Sequence, residues 1–323
     1  MALRDYIIKR TITAIITVFT ALTMIFIIFR LIPGDPASIL AKDPRLDLET
    51  VESIKRLLGL DKPPHEQYII FITSVFRGEF GVSFFYRLSV WNILLERLAN
   101  TIRLIGLGAV FSIIIGISLG AIAGWRWGSR YDRVICALSV LSYSMPSFWF
   151  GMIMIYLFAV LIPIFPTGGI GRVMFEVDLW TRIAVEIKHL ALPLIAYSIN
   201  FMGQYVLLMR NSLINVITED YILTAKAKGL RGSEVLRKHA FKNAALPTVT
   251  QISINLSNVI IGSVSVETVF AWPGIGRLIY ESVLWRDYPL LQGAFTVFTI
   301  VVILANYIAD LLYIVIDPRV RYQ

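Results

Sequence analysis

Six stretches of 19 residues or more contain no Asp, Glu, Lys or Arg: 11–29, 104–125, 134–171, 190–209, 243–266 and 288–309. One such charge at the bilayer centre costs about 2.5–3.5 kcal/mol on insertion scales, so charge-free windows of this length mark membrane spans. The third, at 38 residues, would make about 57 Å of helix against a hydrocarbon core of about 30 Å. It is long enough for two spans, and loop charge decides between one and two. A second span there would place residues 210–242 outside, yet that segment carries Arg210, Lys226, Lys228, Arg231, Arg237, Lys238 and Lys242. Basic loops stay in the cytoplasm. The sequence therefore predicts an all-α integral membrane protein of the cell membrane with six transmembrane helices, spanning about 11–30, 104–125, 134–162, 190–209, 246–266 and 290–313. Both termini are expected to be cytoplasmic, and residues 163–171 to form an outer loop.

Composition agrees. Hydrophobic residues make up 57% and charged residues 16% of the 323, against roughly 45–50% and about 25% in soluble chains. The net charge of +8 is explained by basic cytoplasmic loops, which leaves no case for nucleic acid. Cys136 has no partner cysteine, which excludes a disulfide framework. The first apolar run is too long for a signal-peptide core and runs into Arg30 and Pro33-Gly34-Asp35-Pro36 without a small-residue cleavage site, so it is expected to remain as a span. Residues 31–100 are expected to form a long outer loop. Within it Leu48, Val51, Ile54 and Leu58, closed by Gly59, predict a short amphipathic helix, and Tyr68 to Phe76 is apolar but too short to cross.

Chemistry of its own is lacking. Gly168-Gly169-Ile170-Gly171-Arg172 has no Lys-Ser/Thr to reach phosphate and Mg²⁺, so ATP is not expected on this chain. His65, His189 and His239 are isolated from one another in sequence and give no metal-ligand spacing. No enzymatic activity and no cofactor are predicted.

Function is legible between 219 and 247. Glu219-Asp220-Tyr221-Ile222-Leu223-Thr224-Ala225-Lys226-Ala227-Lys228-Gly229-Leu230 reads as a helix broken by Gly229 and Gly232, with Ser233 as the N-cap of a second helix and Ala225 and Ala227 as a close-approach surface. This segment resembles the EAA loop of ATP-binding cassette importer permeases, the helix that sits in a cleft of the ATPase subunit. Leu223-Thr224-Ala225 replaces the usual Glu-Ala-Ala, and Lys242 replaces the proline, as in the dipeptide/oligopeptide subfamily. Similar to the same subfamily are Leu31 to Pro36, Gly59 to Pro63, Gln67-Tyr68, Gly78 to Ser83, Glu267 to Arg277, Arg286 to Pro289 and Gln292-Gly293.

The resemblance implies the B-type permease subunit of such a transporter, with the type I importer fold. It implies a heterodimer with a homologous C-type permease, two ATPase subunits carrying ATP and Mg²⁺, and an extracytoplasmic solute-binding protein. Residues 210–245 would couple to the ATPases through Glu219, Asp220, Tyr221, Thr224, Ala225, Lys228, Gly229 and Leu230. The cargo it implies is a di- or oligopeptide, with oligosaccharide second and nickel or another solute behind; a secondary transporter or channel is the distant alternative.

Polar residues inside the spans are the remaining candidates. Gln251, Asn255 and Asn258 form one stripe of the fifth span and Asn200 with Gln204 a second pair in the fourth. They line a translocation path or hydrogen-bond one helix to another. As neutral amides they suit peptide groups or sugar hydroxyls. Glu267, with Pro273 and Gly274, is either a gate element or a solvated helix end, and Asp310 is either functional or paired with a basic residue. Gly116, Gly120 and Gly124 allow another helix to approach, within this subunit or at a heterodimer seam.

Overall fold

The computed structural model describes residues 3–31, 61–171, 178–261 and 263–316. The amphipathic helix around Leu48 to Leu58 and the Pro33 to Pro36 turn lie outside the described residues. The described chain is helical: α1 (Leu3–Leu31), α2 (Pro64–Arg77), α3 (Val90–Trp125), α4 (Arg130–Ser144), α5 (Ser147–Ile155), α6 (Leu179–Ile217), α7 (Asp220–Ala227), α8 (Gly232–Val235), α9 (Phe241–Ile261), α10 (Ser263–Val269), α11 (Ile275–Trp285) and α12 (Tyr288–Ile316). π-helical turns follow α5 at Tyr156–Leu161 and α8 at Leu236–Ala240.

Among the described residues, α1, α3, α6 and α12 are long and apolar enough to cross a membrane, and α4 with α5 makes a fifth if the bent pair is one span. The helices overrun the apolar windows. α3 starts at Val90 and α6 at Leu179, because a charged turn ends the lipid-compatible part of a helix without breaking its backbone; the exposed Arg182 and Glu186 on α6 even pair at 3.6 Å.

The third window does not form one straight rod: α4 and α5 meet at 106°. Pro146 is the cause, since it lacks an N–H and drives the preceding residue out of helical geometry; Met145 is extended at φ −80°, ψ 136°. Asn200 on α6 donates from Nδ2 to the carbonyls of Ser142 and Met145, both at 3.0 Å, so the groups freed by the bend stay paired.

The chain divides into two compact units. In one, from Asn100 to Arg277 plus the end of α12 from Ala305, α6 is the central rod. Gly116, Gly120 and Gly124 of α3 press on it: a Cβ at Gly120 would lie 2.5 Å from the Val206 carbonyl oxygen and one at Gly124 2.9 Å from that of Arg210. This seam lies within the subunit, one of the two placements the glycine spacing allows. Gly203 of α6 gives α4 the same access, a Cβ there falling 2.5 Å from Ser139 O.

The other unit comprises the described residues of Arg4–Ala99 and Leu278–Leu304. Val90, Ile93, Leu94, Leu278, Leu290 and Ala294 form its core. Asp287 organises it: its carboxylate accepts from Ser83 Oγ at 2.5 Å, from the Phe85 N–H at 3.0 Å and, as the cap of α12, from the Leu290 N–H at 3.2 Å.

Candidate coupling and translocation site

α6 ends at Ile217, and α7 follows after a turn at Thr218 and Glu219. One face of α7 is anchored: Ile222 and Ala225 are buried with Met209 and Leu213 of α6, Ala121 of α3, Val235 of α8, and Ala240 and Ala244. The other face is open, with Asp220, Tyr221, Leu223, Thr224 and Lys228 exposed. Ala225 is thus a core residue, its small side chain letting α7 approach α6 and α3 closely, whereas Ala227 is exposed. Leu230 is half-buried and packs against the same core.

Gly229 ends α7 at φ +79°, and a Cβ placed on it would have no neighbouring atom within 4 Å, so backbone conformation, rather than space, selects glycine there. Ser233 is not a cap. The N-cap position of α8 is Arg231, without a side-chain hydrogen bond, and Gly232 is already helical. Lys238 Nζ, 2.6 Å from Glu234 Oε1, holds that carboxyl below the usual carboxylate range. Asn243 at the start of α9 donates to Tyr221 Oη at 2.9 Å, tying the exposed face of α7 to the next long helix.

The amides meet in part. Gln251 Nε2 donates to Asn255 Oδ1 at 2.9 Å, and Asn255 Nδ2 to Gln204 Oε1 of α6 at 2.9 Å. Asn255 is buried, while Gln251 and Gln204 are half-buried. Asn200 separates from Gln204, because it serves the α4–α5 bend. The Asn258 side chain lies outside the described residues.

Glu267 is fully buried, which excludes the solvated helix end. It accepts from Thr101 Oγ1 at 2.7 Å and from the Arg277 N–H at 3.0 Å, while Thr101 Oγ1 in turn accepts from the Ile275 N–H at 2.8 Å. Trp272 Nε1 donates to Asn100 O and Asn100 Nδ2 to Pro273 O, both at 3.0 Å; Arg277 Nη1 donates to Ala271 O. A Cβ on Gly274 would run into the Glu267 carboxyl. Glu267, Pro273 and Gly274 therefore belong to one knot joining the turn before α11 to α3. Asp310 is half-buried on α12. Neither Thr101 nor the ion pair of Asp132 with Arg210 stands out in the sequence; the one signal for the pair is a single acid among Arg126, Arg130 and Arg133.

Residues 116–322 match the family described as binding-protein-dependent transport system inner membrane component, and residues 3–105 match its N-terminal membrane-component family. The chain belongs to this family. A probable peptide ABC transporter permease protein of Sinorhizobium fredii is 37% identical over 98% of this chain and 99% of its own length. An oligopeptide transport system permease protein of Bacillus subtilis and a dipeptide transport system permease protein of Escherichia coli are each 33% identical over 98% of this chain, covering 99% and 98% of those proteins. The chain is a multi-pass permease component of the inner membrane, and the permease component of such importers is not itself catalytic.

Proposed function

We propose that this chain is the B-type permease subunit of an ATP-driven importer of di- and oligopeptides. The observation that carries the reading is similarity along the whole chain to permeases named for peptides, dipeptides and oligopeptides. Six spans are assigned to α1, α3, the α4–α5 pair, α6, α9 with α10, and α12, with both termini in the cytoplasm. A homologous permease completes the pathway, two ATPase subunits bind ATP and Mg²⁺, and an extracytoplasmic binding protein delivers solute. The ATPases dock on the open face of α7, through Asp220, Tyr221, Leu223, Thr224 and Lys228, with Glu219 and Gly229 setting the two ends of the helix. Its buried face, through Ile222 and Ala225, hands their motion to α6 and α3. Gln251, Asn255 and Gln204 line the path once their mutual bonds are exchanged for bonds to peptide groups.

Uptake of a labelled tripeptide by cells holding the complete transporter tests the cargo. Unlabelled di- and oligopeptides are expected to compete and oligosaccharides to leave uptake unchanged; competition by oligosaccharides alone would refute a peptide cargo.

A further inference from the structure

Among the seven basic residues from Arg210 to Lys242, Arg210 alone is not exposed. Its guanidinium forms a two-pronged pair with Asp132 at the start of α4: Nε lies 2.6 Å from Oδ1 and Nη2 2.9 Å from Oδ2. The Asp132 side chain is 4% exposed. Its carboxylate also accepts from the Gly128 N–H at 2.9 Å and from Cys136 Sγ at 3.4 Å, while its own N–H donates to Ser129 Oγ at 3.2 Å. The acid is thereby fixed to the turn between α3 and α4. The backbone of Arg210 is held from another side, by the close approach of Gly124 on α3. Position 210 is where α3, α4 and α6 meet. One turn on, Leu213 packs with Ile222 and Ala225 of α7.

A buried ion pair is weak evidence for stability, because desolvation of both charges offsets their attraction and a packed apolar pair often does as well. What a planar guanidinium on a carboxylate adds is orientation, since the two parallel bonds survive only one relative placement of the helices. We infer that the Asp132–Arg210 pair is the joint through which displacement of α7 is delivered to α4, and so to the 106° bend and α5, making Asp132 and Arg210 positioning residues of the transport cycle. Motion entering at Ile222 and Ala225 moves the 209–213 turn of α6. Without the pair, that turn slides past α4 and ATP is hydrolysed with little movement of the pathway. This inference rests on the coupling role proposed for α7.

The test is ATP hydrolysed per peptide accumulated by the complete transporter in proteoliposomes, for Asp132→Asn, Arg210→Lys, the double variant D132N/R210K, and Gly229→Val alongside. Arg210→Lys keeps charge and bulk and loses only the fork. Both single variants are expected to hydrolyse ATP at near the normal rate while the ratio rises about tenfold, and the double variant to raise it no further than either single one, because each already removes the same interaction. An unchanged ratio in the single variants, with Gly229→Val impaired in transport, overturns the joint. So does a proportional fall of hydrolysis, transport and complex yield at constant ratio, which marks a merely structural pair. Normal transport by Gly229→Val overturns the underlying coupling role instead.

Discussion

Gly229 has room for a side chain but not the backbone for one. At φ +79° an L-residue pays roughly 1–2 kcal/mol, least for Asn and most for a β-branched chain. Gly229→Val is therefore expected to abolish peptide uptake while leaving the protein in the membrane, and Gly229→Asn to retain most uptake; immunoblotted membrane fractions and uptake rates measure the two effects. Gly274 is the opposite case, where space is the constraint. Gly274→Ala drives a methyl into the Glu267 carboxyl and is expected to lower the melting temperature of the purified complex. Glu267→Ala, which leaves the Thr101 hydroxyl and the Arg277 N–H without their acceptor, should cost about 1–3 kcal/mol per unpaired group. An unaltered melting temperature in both would contradict the knot.

At the scale of elements, the α3–α6 seam and the α4–α5 bend are legible in the sequence to different degrees. Gly116, Gly120 and Gly124 announce a close helix contact, since only spacing is needed to put three glycines on one face; which helix they meet requires the structure. The break in the third window carries a signal too, Pro146, but the long charge-free run outweighs it and reads as a continuous span. Asn200 and Gln204 share a helix face, as the spacing requires, yet bond to different elements, because a face says nothing about its neighbours. Buried charge is the least legible: Asp132, at the start of α4, is one of four charged residues from Arg126 to Arg133, and only the fold selects it for Arg210. Gly120→Leu is expected to prevent assembly by forcing α3 from the Val206 backbone, seen as loss of the permease from purified complex. Asn200→Ala is expected to lower thermal stability by leaving the Ser142 and Met145 carbonyls without its amide.

At the scale of the molecule, two distant positions on α3 do different work. Thr101 enters the Glu267 knot and Gly124 abuts Arg210, roughly 35 Å along the helix at 1.5 Å per residue, about a bilayer apart. The unit holding α7 thus connects the core beneath α7 to the Glu267 knot through continuous helices, which is the arrangement that the coupling role proposed for α7 needs. The most direct measurement is site-directed cross-linking at α7. With Leu223→Cys on the open face and a cysteine in the ATPase cleft, the assembled transporter is expected to give a permease–ATPase adduct whose yield changes on adding ATP, while Ala225→Cys on the buried face gives none. Absence of any adduct from Leu223 in a transporter that still imports peptide would contradict the account.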